Sequence, residues 1–368
     1  MNKKGITYSQ SGVNYESLDP AKKLALSAAH STAKHLKNYG FDEIEDTRGE
    51  AAFVWTQGKI LMAAVTESLG TKNLVADAMR KVTKKTYYDV IGHDSVASIV
   101  NDLTSVGAKP LVVHAFWAVG DSTWFDDKDR IKDLVAGWKS ACDIANATWG
   151  GGETPSYNNI VSKETIALGG SSVGIISSKK RLLMDTRLKA GDRIILLKSN
   201  GINANGLSLA RAVAKKLPKG YATKLPSGKL YGDAILTKTN IYAKLVQDLL
   251  NSNIDIHYIS NITGHGLRKV MRARQKFSYV IEKIFEPQEL FPFIMKYAGM
   301  DDYAMYHTYN MGQDYAIFMP AKYVKEALRI VKKNGFEGID AGIVEKGDKQ
   351  VMIKQKNITF KGSTLDLR

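Results

Sequence analysis

The hydrophobic positions of the chain follow two periods, which predict a mixture of helices and strands. A first helix is predicted after Asp19, a good N-cap residue, with Pro20 at the first helical position and an end at Gly40. Residues 60–65 are continuously apolar, which is typical of a strand buried on both faces. Apolar residues recur with helical spacing over 87–105. The remaining elements predicted up to residue 176 are a strand at 111–119, a helix at 127–146, a turn-rich segment at 148–159 and a strand at 160–176.

A basic and polar stretch, residues 177–192, divides the pattern in two. A clean strand, 193–198, starts afresh behind it, so we expect two α/β domains, 1–176 and 177–368. The later helices are predicted at 207–216, 233–250, 266–274, 287–298 and 321–334, and the later strands at 254–259, 277–284, 315–319 and 339–344. Residues 347–368 are polar, and we expect fraying at their end.

Composition is that of a globular protein, with 368 residues, 44% hydrophobic and 24% charged. Lys and Arg exceed Asp and Glu by 15, which indicates either a surplus of solvated lysines or attraction to phosphate on a nucleotide or nucleic acid. The single cysteine, Cys142, cannot form an internal disulfide and predicts a buried, inert thiol. With no secretory signal and no apolar run of membrane-spanning length, the expected location is the cytoplasm.

Three oxygen-bearing side chains fall on one side of the predicted helix 87–105. Asp94 and Asn101 are about two helical turns apart, and Asp102 lies on a neighbouring line. Such a face is typical of a Mg²⁺ site completed by nucleotide phosphates. The alternative is a solvated helix face or local capping.

Two glycine-containing segments of the first half end or follow strands. Residues 67–72, Glu-Ser-Leu-Gly-Thr-Lys, close the predicted strand 60–65, where ligands of open α/β sheets bind. They lack the spaced glycines of a Walker A loop. Gly150–Thr154 allows a backbone to approach phosphate closely, although such glycine runs also form simple turns.

Two loops of the second half precede predicted helices and offer backbone N–H groups to an anion. They are residues 203–206 and 263–266, and ordinary helix capping is the alternative for each. Of the seven histidines, His265 alone lies in such a glycine-flanked loop. Signatures of zinc proteases, serine hydrolases and Rossmann dinucleotide-binding proteins are absent from the sequence.

Taken in order, these segments resemble the aminoimidazole ribonucleotide (AIR) synthetase family, also called phosphoribosylformylglycinamidine cyclo-ligases. Two departures concern ligands, because Glu67 and Ser68 stand where the family has aspartate and glycine. A third is His265, which stands where the family has glycine. The segments that carry the resemblance are Tyr8, 11–14, 66–72, 91–94, 100–103, 107–110, 151–154, 205–209, 262–267 and 305–312.

The resemblance implies a two-domain α/β (α+β) fold whose N-terminal sheet pairs across a homodimer, with ATP bound in a cleft. In the implied reaction ATP phosphorylates the formyl oxygen of formylglycinamidine ribonucleotide, a nitrogen closes the imidazole ring, and phosphate leaves. Mg²⁺ would be shared by Glu67, Asp94 and Asp102. Lys72 would neutralise phosphate, and Glu153 would bind metal or orient the amidine.

The implied nucleotide-binding residues are Thr66, Glu67, Gly70, Thr71, Lys72, Asp94, Asn101, Asp102, Gly151, Gly152, Glu153 and Thr154. The implied substrate-binding residues are Asn205, Gly206, Thr263, Gly264, His265 and Asn310. His265, also assigned to catalysis, would contact a phosphate when protonated or would narrow the pocket. No residue is assigned as a general base. One alternative is another phosphotransferase of the superfamily, similar to thiamine monophosphate kinase or selenophosphate synthetase. Selenophosphate synthetases usually need an N-terminal cysteine, which this sequence lacks. The other alternative is a non-catalytic nucleic-acid-binding relative.

Overall fold

The computed structural model describes residues 15–365. Tyr8 and the segment 11–14, which carry part of the family resemblance, lie outside the described residues. The first helix begins at Tyr15, so Pro20 lies inside it rather than at its first position, and it ends at Ser31. The helices of the first half are α1 (Tyr15–Ser31), α2 (Lys34–Lys37), α3 (Asn73–Thr83), α4 (Tyr88–Ser105) and α5 (Lys128–Ala145).

The first sheet has five strands in the order β1-β2-β5-β3-β4, and only β3 and β4 are parallel. The strands are β1 (Phe53–Gln57), β2 (Ile60–Ser68), β3 (Lys109–Val119), β4 (Thr148–Glu153) and β5 (Ile166–Ile176). The prediction that residues 60–65 are buried on both faces is wrong. Burial alternates along most of β2, because α4 covers one face of the sheet only.

Glycines made parts of this sheet hard to recognise. The segment predicted as turn-rich contains β4, whose three consecutive glycines hide its strand character. Strand β5 runs without interruption through Gly169 and Gly170. A Cβ atom on Gly170 would lie 2.3 Å from the carbonyl oxygen of His114, so only glycine fits at this close approach of two strands.

The second sheet has seven strands in the order β12-β11-β8-β10-β6-β9-β7, and only β11 and β8 are parallel. Its strands are β6 (Arg193–Lys198), β7 (Tyr258–Asn261), β8 (Phe277–Ile281), β9 (Gln313–Met319), β10 (Gly338–Lys346), β11 (Gln350–Ile353) and β12 (Ile358–Lys361). The polar segment 347–368 therefore contains two strands that extend the sheet, and its last residues, 366–368, lie outside the described residues.

The helices beside this sheet are α6 (Leu207–Ala214), α7 (Tyr231–Ile235), α8 (Ala243–Asn251), α9 (Leu290–Ala298), α10 (Asp302–Thr308) and α11 (Val324–Lys333). The single helix predicted at 233–250 is two helices, α7 and α8, joined by a segment that packs on α4. The helix predicted at 266–274 is a 3-10 helix, Gly266–Met271.

The two halves share one hydrophobic core. The largest buried cluster contains Val113 and Trp138 from the first half together with Ile194 and Phe318 from the second. Helix α4 is almost entirely buried and lies at the centre of this contact. Among the described helices, none is both long enough and apolar enough to cross a membrane.

Candidate active site

A polar cavity of about 300 Å³ lies between the two halves of the chain. The first half contributes carboxylates and hydroxyls to its wall, and the second half contributes two loops and two cations. Its lining residues are Lys22, Glu50, Ala51, Glu67, Ser68, Ser98, Asp102, Ala204, Asn205, Thr263, Gly264, His265, Lys269 and Arg272.

Two carboxylates from different elements meet in this cavity. Glu67 is near the end of β2, and Asp102 projects from α4, where it accepts a hydrogen bond of 2.7 Å from Asn261 Nδ2. Burial, and then the neighbouring charge of Asp102, raise the pKa of Glu67 to about 7. Glu67, whose ionisation is disfavoured by the charge of its neighbour, forms together with Asp102 a site that a cation would complete.

Cations of the second half face these carboxylates. Lys269 and Arg272 come from the 3-10 helix Gly266–Met271 and the residue that follows it. Arg272 forms an ion pair of 3.3 Å with Glu50, and its guanidinium also donates a hydrogen bond to the Gly49 carbonyl. Burial, and then the charge of Arg272, lower the pKa of Lys269 to about 8.

His265 lies in the cavity wall with its backbone in the left-handed region, at φ 72°. Burial, and then the charges of Lys269 and Arg268, lower the pKa of its imidazole far below the ordinary value. The ring is therefore neutral at pH 7, so the expected contact of a protonated His265 with phosphate is not available in the ligand-free protein. The imidazole instead occupies space in the wall that glycine would leave open.

Lys72 and Asp94 are not in the cavity, contrary to the expectation for both. Each side chain is completely buried, and they form an ion pair of 2.5 Å with each other. Lys72 Nζ also donates to the carbonyl of Thr237, and Asp94 accepts from the backbone N–H of Thr239. Both residues therefore attach the first half of the chain to the segment before α8.

Asn101 has the same structural role. Its amide donates to the carbonyl of Asn240 and accepts from the N–H of Tyr242, so both polar atoms of the side chain contact the segment before α8. The trio Glu67, Asp94 and Asp102 is thus not assembled. Within residues 15–365 no three His, Cys, Asp or Glu side chains are grouped closely enough to hold a metal ion.

An open groove of about 640 Å³ continues from the cavity along the uncovered face of the first sheet. The groove and the cavity share Glu67 and Ser68. Of the residues expected to bind nucleotide, Thr66, Glu67, Gly152 and Glu153 line the groove, and Gly151 and Thr154 are their chain neighbours. Gly70 and Thr71 line neither space.

The residues expected to bind substrate divide into two groups. Asn205, Thr263, Gly264 and His265 line the cavity. Gly206 and Asn310 do not line it: the Gly206 carbonyl accepts a hydrogen bond from Tyr309, and Asn310 donates to the carbonyl of Gly201. Both residues hold the loop 200–206 in place.

Sequence reasoning missed five polar residues of the wall, which are Lys22, Glu50, Ser98, Lys269 and Arg272. Ser98 shares a helix face with Asp94 and Asp102, being four residues from each, and that spacing was a usable signal. Lys269 and Arg272 lie within a predicted helix, where charged residues usually face solvent, so nothing in the sequence separated them from surface lysines and arginines.

Comparison with known proteins matches both halves of the chain to one family. Residues 48–176 match the N-terminal domain, and residues 189–355 the C-terminal domain, of the family described as AIR synthase related protein. A phosphoribosylformylglycinamidine cyclo-ligase from Methanothermobacter thermautotrophicus is 30% identical over 328 residues, which are 89% of this chain and 91% of that protein.

Solved structures share the fold at lower sequence identity. The hydrogenase maturation protein HypE in complex with ATP has a TM-score of 0.55 at 15% identity and covers 80% of this chain and 82% of its own. Thiamine-monophosphate kinase from Stenotrophomonas maltophilia has a TM-score of 0.58 at 14% identity, and the match covers 82% of this chain and 88% of the kinase chain. These likenesses concern the fold alone.

Proposed function

The chain belongs to the AIR synthase family, and we propose on that premise that it is an ATP-dependent phosphoribosylformylglycinamidine cyclo-ligase. The enzyme converts formylglycinamidine ribonucleotide to AIR in purine biosynthesis. ATP phosphorylates the formyl oxygen, a nitrogen of the substrate closes the imidazole ring, and phosphate leaves. Residues 1–176 and 177–368 would be its two domains, with the reaction taking place between them.

The observation that carries this proposal is the meeting of Glu67 and Asp102 where the open groove joins the polar cavity. Phosphoryl transfer needs positioning and charge neutralisation more than it needs covalent chemistry from the protein. The groove offers space for a nucleotide, and the cavity offers space for the acceptor. The two carboxylates lie at the junction, where the transferred phosphate would pass.

The donor set at this junction fits Mg²⁺. Glu67 and Asp102 are close enough for one charge to raise the pKa of the other acid, and Mg²⁺ is usually held by one or two carboxylates together with phosphates. When bound, the ion would neutralise the phosphates of ATP. Asn261 would orient Asp102 through its 2.7 Å hydrogen bond, and Glu153 in the groove would face the nucleotide.

The second half would hold the phosphorylated acceptor. Its loops at Asn205 and at Thr263–His265 line the cavity, and Lys22 and Arg272 add positive charge to the wall. His265 is neutral and would act by shape rather than by charge. The histidine would therefore limit which substituents the acceptor can carry.

We also propose a homodimer formed through the first sheet. The face of this sheet that α4 leaves uncovered carries a row of cross-strand neighbours, Trp55, Met62 and Ile175, and its Leu111 is 38% exposed. An apolar sheet face of this kind is stabilised when a second copy covers it.

Cys142 is buried, and burial raises the pKa of its thiol to about 11. A buried thiol with a raised pKa is inert, which suits a cytoplasmic location.

A second candidate is a kinase that phosphorylates thiamine monophosphate, favoured by the shared fold of the Stenotrophomonas maltophilia enzyme. Incubation of the protein with ATP and either formylglycinamidine ribonucleotide or thiamine monophosphate, followed by mass spectrometry, separates the two. The cyclo-ligase forms AIR and ADP in equal amounts from the first substrate and leaves the second unchanged. Formation of thiamine diphosphate without AIR would favour the kinase. ATP-independent binding of DNA or RNA, lost at high salt, would favour a nucleic-acid-binding relative.

A further inference from the structure

One lysine of the cavity carries a buried charge that no neighbouring carboxylate pairs. The Lys269 side chain is only 8% exposed. Its backbone carbonyl accepts a 2.6 Å hydrogen bond from Ser260 Oγ, which fixes the point from which the side chain projects. Within residues 15–365 its ammonium makes no hydrogen bond, and no carboxylate oxygen lies within 4.0 Å.

Charged groups of both signs surround this ammonium. Asp102 and Glu67 attract it, in that order of strength and ahead of Glu50, whereas Arg272 repels it. Glu50 is already engaged by Arg272 in their ion pair. The free positive charge therefore faces the Glu67–Asp102 side of the cavity, where the open groove begins.

An ammonium in this state costs the folded protein free energy, because burial has removed part of its hydration and no carboxylate pairs with it. An anionic ligand at the junction of groove and cavity would offset that free-energy cost, because its negative charge would pair with the ammonium. A phosphoryl group suits the position, since it carries negative charge on several oxygens and a lysine binds it as a point charge.

We propose that Lys269 is a catalytic residue that binds the phosphoryl group as it passes from ATP to the acceptor oxygen. This inference rests on the proposed cyclo-ligase function, which supplies the phosphoryl transfer. The bond that forms joins phosphorus to the formyl oxygen, and the bond that breaks joins phosphorus to the bridging oxygen of ADP. Lys269 keeps its proton throughout and stabilises charge on the transferred oxygens.

The variant Lys269→Met tests the proposal, because methionine retains an apolar chain of similar length without the charge. We expect kcat to fall about 100-fold, as for the loss of one transition-state donor. We expect KM for formylglycinamidine ribonucleotide to change less than about threefold, since the contact is made in the transition state. The urea concentration at the midpoint of unfolding should not fall, because the substitution removes a desolvated charge. If Lys269 had only a structural role, the same substitution would lower that midpoint.

A second readout does not depend on turnover. Calorimetric affinity for inorganic phosphate, the released product, should weaken at least about tenfold in Lys269→Met and recover partly in Lys269→Arg. The matched control is Lys276→Met, which changes an exposed lysine five residues after the end of the 3-10 helix at Met271 and should match wild type. Equal phosphate affinity in wild type and Lys269→Met, or an unchanged kcat, would overturn the proposal for Lys269.

The two proposals fail in distinguishable ways. If wild-type protein forms no AIR, the cyclo-ligase function is wrong, and the phosphate titrations still decide whether Lys269 binds the anion. If wild type forms AIR and Lys269→Met forms it equally fast, the function stands and the role of Lys269 is wrong.

Discussion

The ammonium of Lys72 lies 2.5 Å from a carboxylate oxygen of Asp94, and neither side chain has any exposed surface. Asp94 was expected to bind metal and Lys72 to bind phosphate, yet each is the other's partner. Through the backbone of Thr237 and Thr239 they connect the start of α3 and the middle of α4 to the second half of the chain. We therefore expect this ion pair to contribute mainly to the stability of the fold rather than to the binding of metal or phosphate.

Substitution Asp94→Ala should lower the free energy of unfolding by about 3–5 kcal/mol, because it leaves Lys72 charged and buried without a partner. Urea denaturation measures the change. The double variant Lys72→Met/Asp94→Leu should recover much of the loss, since it removes both charges. A stable Asp94→Ala protein that selectively loses Mg²⁺-dependent ATP binding would instead support the metal-ligand role.

Asp102→Asn should weaken ATP binding in the presence of Mg²⁺ by at least about tenfold, equivalent to 1.4 kcal/mol. The amide oxygen can still accept the hydrogen bond from Asn261, so the change removes charge with little effect on the fold. Isothermal titration calorimetry, with and without a chelator, measures the affinity. Asp348→Asn is the matched control on an exposed carboxylate, and equal affinities in the two variants would contradict the site.

The stability of the protein should depend on Asp314 between about pH 4 and pH 6. Burial raises the pKa of this carboxyl from the ordinary 3.8 to about 6, although Tyr242 and Asn203 donate hydrogen bonds to it. The folded state therefore holds the proton more tightly than the unfolded chain. The contribution of Asp314 to stability is full below about pH 4 and falls by up to about 3 kcal/mol as pH rises through 6.

Asp314→Asn should remove this dependence. The new amide can donate to Asn203 Oδ1, which is buried and has no hydrogen-bond partner among the described residues. The urea concentration at the midpoint of unfolding should be measured at pH 4.5 and 7.5. The midpoint of the variant, relative to that of wild type, should be higher at pH 7.5 than at pH 4.5. A difference between variant and wild type that does not change with pH would disprove the assignment of the titration to Asp314.

The proposed dimer predicts about twice the chain mass of 40.6 kDa in light scattering. The double variant Met62→Glu/Leu111→Glu places charges on the uncovered sheet face and should give the monomer mass. Ile144→Glu changes an exposed apolar residue of α5, away from that face, and should remain dimeric. Monomeric wild type at micromolar concentration would contradict the proposed interface.

The sequence predicted regular elements best where hydrophobic spacing alone decides them. Strand β6 has the predicted bounds, and the predicted helix 87–105 differs from α4 by one residue. Strand β4 was missed because glycines carry no side-chain pattern, and the single helix 233–250 was wrong because the segment around Thr239 bonds to α4 instead of to itself. Such partners are distant in the sequence, so periodicity does not report them.

The site was predictable only in part for the same reason. Motif order located Glu67, Asp102 and the loop at His265, which the fold brings into one cavity. The same motifs include Lys72, Asp94 and Asn101, whose side chains lie outside this cavity in contacts with the second half, since a buried carboxylate or amide can satisfy a backbone N–H as well as a metal ion. The sequence gives no sign of the unpaired charge of Lys269, because burial depends on the packing of both halves.

A cyclo-ligase transfers a phosphoryl group from ATP to the formyl oxygen of formylglycinamidine ribonucleotide before ring closure. Substrate labelled with oxygen-18 in its formyl group follows this transfer directly. We expect AIR and ADP in equal amounts, with the label recovered in the released phosphate. Unlabelled phosphate, or consumption of ATP without AIR, would contradict it.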